Sequence, residues 1–93
     1  MLIGSCTVEL TIFESNSLKD KRQIIKSLIG RIQSRFNVSI AEVDKQDSWR
    51  TAVIGFACVS SSARHVEQMV GNIIKFIEGD SRVEIIRQDM EVL

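Results

Sequence analysis

The chain has 93 residues, is 44% apolar, and balances twelve lysines and arginines against twelve aspartates and glutamates. Residues 1–93 are expected to form a single domain, because a core of this size buries most of the chain's surface and the apolar content excludes disorder. No apolar run reaches the roughly 18–20 residues of a membrane span, and no basic stretch followed by an apolar one suggests a signal peptide. A cytoplasmic address with no membrane partner is the resulting expectation.

Residues 2–13, LIGSCTVELTIF, alternate with period two. Leu2, Gly4, Cys6, Val8, Leu10 and Ile12 form one row, and Ser5, Thr7, Glu9 and Thr11 the other, which predicts a half-buried strand. ESNS breaks the pattern, and Ser17 with Asp20 three residues on is a helix N-cap. From Leu18 the period becomes helical, with Ile25, Leu28, Ile29, Ile32 and Phe36 on one stripe and Asn37 as a stop. VSIAEVD (38–44) and TAVIGFACVS (51–60) read as strands joined by a short polar link. A second helix is predicted from Ser62, with Val66, Met69, Val70, Ile73 and Ile77 as its stripe; Gly79-Asp80 ends it, and residues 82–93 read as a last strand.

The order β-α-β-β-α-β predicts an α+β, ferredoxin-like sandwich: an antiparallel sheet in the order 4-1-3-2, with both helices on one face. In the predicted register, Ala41 and Val43 face the helices with Ile54, Phe56 and Cys58, while Glu42 and Asp44 share the opposite face. Val38, Ile40, Val53, Ala57 and Val59 would then make the open face apolar.

Fold alone assigns no activity, so each chemistry is judged at its own residues. Two cysteines, Cys6 and Cys58, lie in strand-like segments without a CxxC, and His65 is the one histidine, so no metal site is expected. Both thiols are expected buried and reduced. The first loop, ESNS, has no glycines to close on a phosphate, and no cofactor is expected. The open-face row of the first strand has no aromatic for base stacking. Ser60, Ser61 and Ser62 suit a helix N-cap rather than a nucleophile, and no catalytic residue is assigned. The remote enzymatic alternative is a metal-dependent activity at Asp44 and Asp47.

Charge is uneven. Residues 17–36 carry Lys19, Lys21, Arg22, Lys26, Arg31 and Arg35 against Asp20 alone, whereas residues 76–93 are mainly acidic. On the helix, Lys19, Arg22 and Lys26 flank one side of the apolar stripe, Arg31 and Arg35 the other, and Lys21 lies near its edge. All six are candidate phosphate contacts, since few acids are interspersed to pair with them. In AEVDKQDSW (41–49), Asp44, Gln46, Asp47 and Trp49 are candidate partner contacts at the tip of a hairpin.

SLKDKR at the helix start, RFNVSIAEVD at the helix–strand junction and QDSW before the third strand together resemble the bacterial YlxP-like family, a domain of unknown function. The resemblance runs along almost the whole chain, departing at Lys45, where relatives carry histidine. It implies a ferredoxin-like fold. Genes of this family neighbour those for translation initiation and ribosome-maturation factors, which implies a ribosome-related role. The expected function is an accessory domain contacting structured or ribosomal RNA through its first helix. The alternative is a protein-interaction module forming homo-oligomers through its open sheet face or an edge strand.

Overall fold

The alternation of the first strand decides which side of the molecule is covered. In the computed structural model, which describes all 93 residues, β1 (Leu2–Ile12) is buried at Gly4, Cys6, Val8, Leu10 and Ile12 and more exposed between them. The remaining elements follow in chain order: α1 (Leu18–Arg35), β2 (Ser39–Asp44), β3 (Thr51–Ser60), α2 (Ala63–Glu78) and β4 (Val83–Val92). All neighbouring strands are antiparallel, in the order β2-β3-β1-β4, which is the predicted sheet read from its other edge.

Both helices begin where their caps place them. Ser17 Oγ accepts the Asp20 N–H at 3.0 Å, and Ser62 Oγ accepts the His65 N–H at 3.3 Å, each satisfying an orphan donor of a first turn. Ile25, Leu28 and Ile32 from α1 and Val66, Val70, Ile73 and Ile77 from α2 meet the inner row of the sheet in one core. Burial of these branched side chains is the main stabilising term. At Gly4 the fit leaves no room, since a methyl there would collide with Val66 Cγ1. Cys6 and Cys58 are free and buried, and burial, aided by the charge of Asp89, raises the Cys6 pKa.

The facing of β2 is the reverse of the sequence expectation. Ile40 lies opposite Phe56 and is buried, Val38 packs against the core, and Ala41 and Val43 are exposed on the open face. Val53, Ala57 and Val59 do lie in the open row, as do Ser5, Thr7, Glu9 and Thr11. A bulge at Val43 then separates two carboxylates expected on one face. Glu42 stays opposite Ile54 on the helix side, whereas Asp44 is opposite Val53 of the open row. Both rows of β2 carry apolar residues, so hydrophobicity alone did not choose between them; a charge on α1 does, as described below.

One buried carboxylate ties α2 to β4 and α1. Asp80 accepts the Arg82 backbone N–H at 3.0 Å and the Arg82 guanidinium at 3.0 and 2.7 Å, while Arg31 lies 3.7 Å away. These hydrogen bonds hold the Asp80 pKa below its ordinary value of 3.8, against the opposing effect of burial. A lowered carboxylate pKa stabilises the fold above the unfolded value, and that stabilisation is lost as the pH falls through the folded one. Asp80→Asn should therefore destabilise the domain by about 1–2 kcal/mol at neutral pH. In urea unfolding, the gap from wild type should close as the pH is lowered from 3.8; a gap independent of pH would exclude the ion pair as its source.

Candidate functional site

The six cations of α1 fall into three environments. Lys21 occupies the helical phase of Ile25, Leu28 and Ile32 and is fully buried with them. It is therefore withdrawn from the expected phosphate-facing set. Its Nζ lies 2.6 Å from Glu42 Oε2 and donates to the carbonyls of Lys45 at 2.9 Å and Gln46 at 3.4 Å. Glu42 Oε2 is itself buried and has no other polar partner. A buried ammonium is tolerated only when its charge and protons are met; Glu42 balances the charge and the two carbonyls accept its hydrogen bonds. The pairing also explains why Glu42, not Ala41 or Val43, turns inward.

The second environment is aromatic. Arg31 and Arg35 place their guanidinium carbons 5.2 and 5.0 Å from the centroid of the Phe76 ring, which Phe36 meets edge-on at 6.0 Å. Arg31 also lies near Asp80. These two arginines remain exposed, but they are engaged in holding α1 against α2.

Lys19, Arg22 and Lys26 form the third set. They are exposed on one flank of α1, and none is among the ion pairs or side-chain hydrogen bonds of the fold. This flank runs beside β2, the terminal strand of the sheet. No carboxylate within α1 offsets it beyond Asp20, which is turned back to accept the Asn16 N–H at 3.3 Å.

The link between β2 and β3 is gripped from both faces. Lys45 takes a positive φ of 57°, its carbonyl accepts from Lys21 and from the Ser48 N–H, and its own ammonium reaches Glu9 on the open face at 2.6 Å. Asp44 Oδ1 accepts the Lys45 N–H at 2.7 Å, so this carboxylate serves the turn. Gln46 and Asp47 are exposed at the tip, and Trp49 is 53% exposed beside it. Glu42, Asp44 and Asp47 are thus separated: one inward to Lys21, one on the turn, one in solvent.

The open face is smooth at its centre. Ser5, Thr7, Ala41, Val43, Gly55 and Ala57 border a shallow depression of ≈ 330 Å³, and a methyl on Gly55 would approach Val43 Cγ1 to 3.1 Å. Val43 borders it at 50% exposure, and Val59, farther along the open row of β3, is 62% exposed.

The Lys21 clamp makes a direct prediction. Lys21→Met keeps the volume but leaves Glu42 unpaired, and should cost about 2–4 kcal/mol in urea unfolding. Adding Glu42→Leu should recover more than half of that loss, because both charges are then gone. A single variant within about 0.5 kcal/mol of wild type would show that the clamp contributes little.

Comparison with known proteins agrees with this architecture. The de novo designed protein Foldit4 superposes with a TM-score of 0.54 at 12% identity, covering 100% of this chain and 97% of that one. A de novo designed protein with ferredoxin fold, LFR1 1, gives 0.51 at 14% identity, covering 98% and 86%. At these identities the likeness is one of fold alone. In sequence, the chain is 37% identical over 83 residues to the uncharacterized protein YlxP of Bacillus subtilis (strain 168), covering 89% of this chain and 90% of that protein. The model of the family described as a protein of unknown function, DUF503, matches residues 3–90. The motifs joined by Lys21, SLKDKR and AEVDKQDSW, thus lie within a match spanning nearly the whole fold, and the chain belongs to the DUF503, YlxP-like family.

Proposed function

We propose that this protein is a non-enzymatic accessory domain of the cytoplasm that contacts structured RNA, with the ribosome as the expected setting. Its phosphate-facing surface is the flank of α1 carrying Lys19, Arg22 and Lys26. One observation carries the reading: these three cations are exposed and unpaired on one side of a rigid helix, while Lys21, Arg31 and Arg35 are engaged in the fold. Solvated cations at helical spacing neutralise phosphates and release condensed counterions. The open sheet face suits RNA less well, because Glu84, Asp89 and Glu91 of β4 border it against Arg87, which lies 3.7 Å from Asp89, and Glu9 already holds Lys45.

Affinity for a labelled stem–loop RNA should fall with salt, with a log–log slope of about −2 to −3 for three phosphate contacts. Lys19→Glu, Arg22→Glu and Lys26→Glu together should weaken binding at least tenfold and flatten the slope. Unchanged affinity in this triple variant would refute the assignment.

A second reading has its own support. The depression over Gly55 and Ala57, bordered by exposed Val43 and with exposed Val59 farther along the same row of β3, offers a second copy of the chain an apolar docking face. Sedimentation at micromolar concentration should then give a dimer that Ala57→Asp dissociates. A monomer throughout would remove this reading.

A further inference from the structure

The flank of α1 that carries the free cations also borders a groove. Between α1 and β2 lies an open cleft of ≈ 380 Å³, bounded by Arg22, Lys26, Ile29, Gly30, Gln33 and Glu42. These α1 residues, with Ile25 at the floor, recur at helical spacing, and β2, as a terminal strand, directs half of its backbone N–H and C=O groups away from the sheet. Gly30 stands out among them. It lies inside an 18-residue helix, where glycine is the least favourable residue after proline. A Cβ at Gly30 would meet no heavy atom within 4 Å, and its φ is not positive, so neither packing nor backbone conformation demands a glycine. Gly30 is exposed and borders the groove, so a side chain added there would stand at its solvent-facing rim.

We infer that this groove takes one unpaired nucleotide of a bound RNA strand, an inference that rests on the RNA reading above. Arg22 and Lys26 meet the phosphate, and the base lies along Ile29 and the bare backbone of Gly30. Its polar edge then faces the Gln33 amide, which both donates and accepts, and the Glu42 carboxylate, which accepts from exocyclic amino groups. Glu42 does not repel the phosphate as a free carboxylate would, because the Lys21 ammonium sits 2.6 Å from it. Paired bases are stacked inside a duplex and cannot enter such a cleft, so the ligand class is a loop, bulge or single strand.

The opposite edge of the sheet supplies a control. A cleft of ≈ 360 Å³ between α2 and β4 is lined by residues that include Glu67, Val70, Gly71, Ile74 and Met90, but no lysine or arginine. Gly71 resembles Gly30, since a Cβ there also meets nothing within 4 Å. Only the groove on the α1 side combines the bare helix backbone with cations.

The experiment compares two labelled RNAs, a stem–loop and a blunt duplex of equal length, by fluorescence anisotropy with wild type, Gly30→Leu and Gly71→Leu. Wild type should bind the stem–loop at least tenfold more tightly than the duplex. Gly30→Leu should lower stem–loop affinity to the duplex level, with duplex affinity and its salt dependence unchanged. Gly71→Leu should leave both affinities as in wild type. Both variants should unfold a few degrees higher, on helix propensity. Gly30→Ala, adding one methyl, keeps the test open if leucine disrupts folding, and should lower the stem–loop preference in part. Equal wild-type affinity for the two RNAs, or undiminished stem–loop binding by the Gly30 variants, would overturn the groove while leaving the phosphate surface standing. Failure of wild type to bind either RNA would overturn both.

Discussion

The burial of the Lys21 ammonium is the constraint on which the arrangement of this domain turns. A charge at a core position of α1 must find acceptors inside the protein. It finds them in Glu42 and in the carbonyls of Lys45 and Gln46. That requirement selects the inward row of β2, accounts for Glu42 facing the helix, and fixes the β2–β3 link against the first turns of α1. The bulge at Val43 and the left-handed Lys45 are the local geometry by which the chain leaves the strand and meets those acceptors.

Once Lys21 is withdrawn, the remaining charges of α1 divide by what they touch. Arg31 and Arg35 lie over Phe76 and hold the two helices together, with Asp80 and Arg82 extending the same network to β4. Lys19, Arg22 and Lys26 have no such partners, and Arg22 and Lys26 border the groove beside Gly30. The polar chemistry of the domain is thereby separated from its apolar open face. The free cations and the groove lie on the helix side of the β2 edge, whereas the small, smooth residues of β3 and β2 and the acids of β4 lie on the other face.

Much of this was legible in the sequence, for identifiable reasons. The strict alternation of residues 2–13 and the change of period at Leu18 mark the first strand and helix, and Ser17 and Ser62 mark the helix starts. Order and handedness then leave one sheet. The facing of β2 was not legible from hydrophobicity, because Val38 and Ile40 compete with Ala41 and Val43 for the core. A signal for it did exist: Lys21 stands at the same helical phase as Ile25, Leu28 and Ile32, so its burial demanded an acid from a neighbouring strand, and Glu42 is at the right height. The stacking of Arg31 and Arg35 on Phe76 depends on how α1 crosses α2, which no local pattern encodes. The groove beside Gly30 likewise exists only once the helix is laid against the sheet edge.

The claim that function resides on the α1 flank rather than on the open sheet is tested most directly by mapping backbone amide NMR shifts during titration with a stem–loop RNA. The account predicts perturbations concentrated at residues 19, 22, 26, 29, 30 and 33 and along the outer edge of β2. Perturbations centred on Ser5, Thr7, Gly55 and Ala57, with the α1 flank silent, would contradict it.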